Sequence, residues 1–294
     1  MKEKNMEEGT QTFGNGSSEI KNASGLQNLE RDVRATVKSC IDAFQSEGNL
    51  CFPADYDVDK ALTAAFVFLS YLKDPSGRSA LEFGSADNIA AALLDMVIQG
   101  LSVNKRQCRF MAFGGEIKLI RTYFGTIAVA REACGIIGEP IACIIGRGDD
   151  FEFETDPASG KKRLVRHRPA LDSMGGEIVG AYCILHLSGG VQYLEVLGPL
   201  QISALLGIRQ EDMSRAGEKT ILRAVINRAC RNLIDTSPDA YMYEGMYDES
   251  DLLSMGTVPA VAEAANAGNI SDNAVADIKT DPVEQVRTEE RPAW

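Results

Sequence analysis

An α+β fold is predicted for this 294-residue chain by three observations. Apolar residues recur at helical spacing up to about residue 100. Alternating strand text fills most of residues 109–197, and one long amphipathic segment follows at about Glu211–Ile234. The predicted architecture is a set of N-terminal helices, an antiparallel sheet with one embedded helix, a long C-terminal helix and a flexible acidic tail. Residues 1–28 are polar and carry repeated Gly, Ser and Asn, so disorder is expected there. Residues 29–244 form the expected domain, and 245–294 the tail.

The elements follow in order. Val33, Val37, Cys40, Ile41 and Phe44 predict a first helix that begins near Leu29 and stops at Gly48-Asn49. A second helix runs from after Asp57 through Ala61-Leu62 to Leu72, before Asp74-Pro75. A third starts behind Ser85, spans Ile89 to Gln99 and closes on Gly100. Arg109–Phe113 and Glu116–Arg121, joined by Gly114-Gly115, predict a tight hairpin, with Phe110 and Phe113 in the core. Gly125–Ala133 reads as a helix ended by Gly135. Strands are predicted at Pro140–Ile145, Asp150–Glu154, Lys161–Arg166, Ile178–Leu187 and Val191–Leu197. The last helix ends near Ser237-Pro238.

The formal charge is −12 and the pI about 4.8. An acidic chain is a poor candidate for a nucleic-acid partner until its charge is located. Residues 245–294 hold ten acids against Lys279, Arg287 and Arg291, so this segment supplies more than half of the excess. The seven cysteines form no C-x-x-C pair and mostly lie in apolar runs, which suits small core residues in a reducing compartment. The first residues are charged and no apolar run reaches about 18 residues, so a soluble cytoplasmic protein is expected.

Three basic constellations remain. Arg215, Lys219, Arg223, Asn227 and Arg231 recur every four residues along the last helix, and Glu218 is the only acid between 215 and 231. Four residues rise about 6 Å, comparable to the phosphate spacing of an extended strand. Solvated charge rows are common, but single-signed ones are less so. Arg228 is a further candidate on the same helix. Lys105, Arg106, Arg109, Lys118 and Arg121, with Tyr123 and Phe124 directly after, combine cations for phosphates with rings for bases. Alternation divides them between two faces, and both rings would also fit a core. Lys161, Lys162, Arg163, Arg166, His167 and Arg168 crowd beside the turn Asp156–Gly160, as in a hairpin gripping phosphates. His167 reads as a hydrogen-bonded structural residue.

Enzyme signatures are weak. Gly217-Glu218-Lys219-Thr220 does not make the G-x-x-x-x-G-K-[ST] pattern of a phosphate loop and lies within a predicted helix, and Gly146-Arg147-Gly148 lacks the third glycine of a dinucleotide site. Asp150, Glu152 and Glu154 share one strand face, with Phe151 and Phe153 buried on the other. They leave open a Mg²⁺-dependent nuclease; the other alternative is an assembly protein whose basic helix faces a second subunit.

The order of short motifs resembles the RecT family of phage recombinases over about residues 52–238. It includes Ile98-Gln99-Gly100-Leu101, Phe110-Met111-Ala112-Phe113-Gly114, Tyr123-Phe124-Gly125 with Arg131, and Gly148-Asp149-Asp150-Phe151-Glu152-Phe153. His167-Arg168-Pro169, Gly180-Ala181-Tyr182, Gly189-Gly190, Met213, Lys219–Arg223 and Pro238 follow in the same order. Val103 departs from the family's usual Pro, and Gly114-Gly115 replaces a longer basic loop. The resemblance implies a non-enzymatic single-strand annealing protein that needs no ATP and forms rings or helical filaments on single-stranded DNA. It also implies an annealed duplex held in a positive groove, a partner exonuclease and a host single-strand binding protein. No cofactor is implied; Mg²⁺ assists by screening phosphates, without a dedicated site. The acidic tail would be an arm for protein partners or a competitor within the groove.

Overall fold

The computed structural model describes residues 16–251, apart from 49, 51, 172–174, 244 and 250. Residues 1–15 and 252–294, which hold most of the two expected tails, lie outside the described residues.

The first half is helical. α1 (Gly16–Ser46) starts inside the stretch expected to be disordered, and buries Val33, Val37 and Ile41 along one stripe. α2 (Val58–Tyr71) is capped by Asp57, whose carboxylate accepts from the Lys60 N–H at 3.0 Å. α3 (Ala80–Phe83) is a single turn that the sequence did not announce. α4 (Ala86–Ile98) begins at Ser85, which accepts from the Asn88 N–H. β1 (Cys108–Phe113) and β2 (Glu116–Arg121) pair antiparallel in register from Cys108↔Arg121 to Phe113↔Glu116. Gly114 and Gly115, at φ 62° and 84°, make the turn in a region costly for residues with a Cβ. Phe110 enters the core, but Phe113, at the tip of the hairpin, is 48% exposed, against expectation.

α5 (Tyr123–Cys134) ends on Gly135 and leads into β3 (Ile136–Gly146). β4 (Asp150–Thr155) and β5 (Lys162–Arg168) form a separate hairpin. β3 pairs with β6 (Ile178–Leu187), which pairs with β7 (Gln192–Leu197), all antiparallel. The strand text therefore builds separate small sheets where one was expected. α6 (Pro199–Leu206) and α7 (Glu218–Asp235) follow. The expected helix from Glu211 is broken: Gln210–Arg215 is a 3₁₀ segment, and Gly217 takes φ 76°, ψ 145°, outside helical space.

The β3–β6–β7 sheet has two dressed faces. Ala181, Cys183, Leu185 and Leu197 join the main core with Ile221, Val225 and Cys230 of α7 and Val129 and Ala130 of α5. On the other face, Ile145, Tyr182 and Leu194 are covered by Phe151 and Leu164 of the hairpin. Phe151 is half-buried there, but Phe153 is exposed; a two-stranded hairpin covers only part of the sheet. Cys108, Cys183 and Cys230 are buried, and burial pushes the Cys108 and Cys230 thiols up to about 12. They are inert core groups.

β8 (Tyr247–Asp248) was not foreseen. It runs parallel to β2, pairing Tyr247 with Ile120 and Asp248 with Arg121. The expected boundary after residue 244 thus does not end the folded part, because the first acids of the acid-rich segment are built into it.

Candidate nucleic-acid interface

The basic row on α7 divides in two. Lys219 and Arg223 are exposed and have no ion pair among the described residues. One and two turns further on, Asn227 is buried and Arg231 half-buried, because the helix passes beneath the segment that carries β8. Arg215 lies outside the helix, on the 3₁₀ segment, and pairs with Asp212 at 3.2 Å. Arg228 is exposed but turns away from Arg223 by roughly 140° around the helix, toward Tyr193 of β7.

Of Lys219 and Arg223, the second reaches the start of α5. The Arg223 guanidinium lies 6.0 Å from the centroid of the Tyr123 ring. Tyr123 and Phe124 stand edge to face at 5.1 Å, and Phe124 is 50% exposed. The backbone holding these rings is closely fixed. The Thr122 hydroxyl accepts from the Gly125 N–H and donates to the Arg106 carbonyl at 2.6 Å. The Thr122 N–H donates to the Gln107 carbonyl at 3.0 Å, and a Cβ on Gly125 would lie 2.0 Å from that oxygen. Arg106 is the one described non-glycine residue with positive φ, at 56°. Its side chain is exposed and carries no ion pair among the described residues. Burial pushes the Tyr123 hydroxyl above the usual phenol range, and Arg223 works against that shift. Arg223 of α7 and the backbone before β1, which carries Arg106, thus meet at the start of α5.

Other nominated cations are spoken for. Arg121 was expected to face DNA but is 4% exposed. It donates to Gln99 Oε1 at 3.0 Å and Thr126 Oγ1 at 3.3 Å, and lies 3.8 Å from Asp248. Desolvation lowers its pKa, and Asp248 opposes that shift. Arg231 reaches Asp248 at 3.3 Å and Asp251 at 2.9 Å; burial disfavours its charge, yet the two carboxylates outweigh this and raise its pKa. Arg109 pairs with Glu249 at 3.5 Å, and the same carboxylate accepts from the Tyr123 N–H at 3.4 Å. Lys105 pairs with Asp55 and Lys118 with Glu116.

The β4–β5 hairpin packs on the opposite face of the β3–β6–β7 sheet from α7. Its charges form cross-strand pairs: Arg166 with Asp150 at 2.8 Å and Glu152 at 3.1 Å, and Arg163 with Glu154. Lys161, Lys162 and Arg168 have no ion pair among the described residues. His167 is buried, with Nδ1 3.1 Å from the Tyr182 hydroxyl and Nε2 3.3 Å from Asp149. It ties the hairpin to the sheet, a structural role. Asp150, Glu152 and Glu154 face arginines; among the described residues no cluster of three His, Cys, Asp or Glu could hold a metal ion. No described helix is long and apolar enough to cross a membrane.

The acids of the 247–251 segment were the functional residues missed in sequence. Their signal in the sequence is Asp248-Glu249-Ser250-Asp251, four polar residues directly after the aromatic Tyr247, a pattern that also suits the start of a tail.

The family model that matches this chain is described as RecT family and covers residues 70–263, about two thirds of the chain. The matched region includes the aromatic pair, the two exposed α7 cations and the whole 247–251 segment. No curated protein matches the chain.

Proposed function

Because the chain belongs to the RecT family, whose proteins carry out single-strand annealing in phage-type recombination, we propose that it binds single-stranded DNA and pairs complementary strands without ATP. One observation carries the reading: Lys219 and Arg223, one turn apart on α7, stand exposed and without ion pairs among the described residues, and Arg223 lies beside the Tyr123–Phe124 pair. Cations along a helix hold successive phosphates without reading sequence, while exposed rings accept the face of any base. Watson–Crick pairing then supplies the sequence test. Arg106 extends this surface, and Lys161, Lys162 and Arg168 provide a second cationic group on the hairpin.

A homo-oligomer, as a ring or helical filament on DNA, is part of the proposal, as is action in the bacterial cytoplasm with a partner exonuclease and a host single-strand binding protein. No covalent step or cofactor is invoked, and Mg²⁺ would act by screening phosphates. The pairing of Asp150, Glu152 and Glu154 with arginines supports this reading over a nuclease.

The test is annealing of complementary oligonucleotides without nucleotide, with wild type and Lys219→Ala/Arg223→Ala. Both side chains are exposed, so the double variant should fold normally. Loss of two phosphate contacts should lower the slope of log affinity against log salt by about 1.4 for a single strand. Wild-type protein that does not accelerate annealing would overturn the proposal. Lost oligomers with intact DNA binding in the variant would place α7 at a subunit interface instead.

A further inference from the structure

The acids that follow α7 are held in two different ways. Asp248 is an anchor. Its side chain is 1% exposed, it lies within 4 Å of both Arg121 and Arg231, and the Asn227 amide donates to it at 3.5 Å. Asp251 locks the turn by accepting from the Asp248 N–H at 2.8 Å while pairing with Arg231. Glu249, between them, is 39% exposed, and its two contacts are long: 3.5 Å to Arg109 and 3.4 Å to the Tyr123 N–H. Arg109 has no other ion pair among the described residues, and its Nε is buried without a hydrogen-bond partner. A firmly anchored strap therefore presents one loosely seated carboxylate to Arg109 and to the backbone N–H of Tyr123.

We propose that Glu249 is an internal competitor for Arg109, displaced when a phosphodiester of single-stranded DNA takes its place. The inference rests on the DNA-binding reading above. A carboxylate and a phosphate diester are both monoanions that accept from guanidinium and amide donors. Arg109 in this structure is engaged by the first, in a contact weak enough to be exchanged for the second. The anchor need not move: rotation of the Glu249 side chain alone would open the guanidinium. Every binding event at this point then carries the cost of breaking the internal pair, which holds affinity below what the cations could give.

The experiment measures binding of full-length wild type, Glu249→Gln, Glu249→Asp and Arg109→Gln, and of the Glu249→Gln/Arg109→Gln double variant, to a fluorescent oligo-dT. Circular dichroism confirms that each is folded. Glu249→Gln should bind about two- to fivefold tighter, the size of one exposed ion pair. Glu249→Asp keeps the charge but shortens the reach, and should also bind tighter than wild type. The gain from Glu249→Gln should vanish in the Arg109→Gln background. Wild-type affinity in Glu249→Asp with tighter binding in Glu249→Gln would mean bulk charge alone and overturn the competitor. A gain that survives without Arg109, or no gain at all, does the same. If wild type and every variant fail to bind oligo-dT, the DNA-binding reading itself falls, and this one with it.

Discussion

Gly125 stands where the first turn of α5 crosses the backbone before β1, and no side chain fits between them. Alanine there would place a Cβ against the Gln107 carbonyl, which cannot retreat without breaking its bond from Thr122. Gly125→Ala should cost about 1–3 kcal/mol, measured by urea unfolding, the range for overpacked positions. Annealing should fall further than stability, since the displaced turn carries both aromatic rings. Arg106 is the converse case. Its left-handed backbone is strained for an L-residue, so Arg106→Gly should raise stability by about 0.5–1 kcal/mol while weakening oligonucleotide binding. A thermal melt beside a binding titration checks both signs in one variant. Opposite movement of the two would separate what this residue does for the fold from what it does for the ligand.

Among the elements, the strap at 247–251 has the largest expected effect. Asp248→Ala leaves Arg121 buried, with its hydrogen bonds to Gln99 and Thr126 but without its carboxylate. Removing one partner of a buried pair costs about 3–5 kcal/mol, which denaturant unfolding will register. Element by element, the helices were the most legible part of the sequence. Asp57 and Ser85 marked starts, and apolar spacing marked the buried face. α6 escaped because Pro199–Leu206 is short and apolar almost throughout, leaving no periodicity to read. The start of α7 was misplaced because Gly217 interrupts a run whose side-chain pattern continues through it. Lys219 and Arg223 could be picked out because exposed charge follows from local composition. The burial of Arg121 and Arg231 could not, because their partners lie far along the chain and charge alone does not reveal depth.

For the whole molecule, acid should act through carboxylates that donors hold in the charged form. Asp55, Asp57, Asp74, Asp156 and Glu177 all have lowered pKa values, each chiefly through a hydrogen bond from a neighbour. Asp74, bonded first by Ser76 and then by Arg78, is brought down from 3.8 to about 2. Since the folded value lies below the unfolded one, its contribution is present above pH 3.8 and is lost as pH falls through about 2. Urea midpoints measured between those limits should fall less steeply for Asp74→Asn than for wild type. At this scale, the α+β class was legible in the order of helical and alternating text. The division into separate sheets was not, because strand pairing depends on contacts that no local pattern encodes.

The parallel pairing of β2 with β8 also has a consequence for biosynthesis. Tyr123 meets Glu249 across 126 residues of chain. At about 5–20 residues per second, a ribosome would need roughly 6–25 s to travel that distance. Throughout that interval the nascent Arg121 has no Asp248 to compensate it, so the end of β2 and the beginning of α5 cannot reach their final packing. The surface that would hold DNA is thus among the last parts of the domain to mature, and a transcript truncated before codon 248 would yield helices and sheets without a finished binding face.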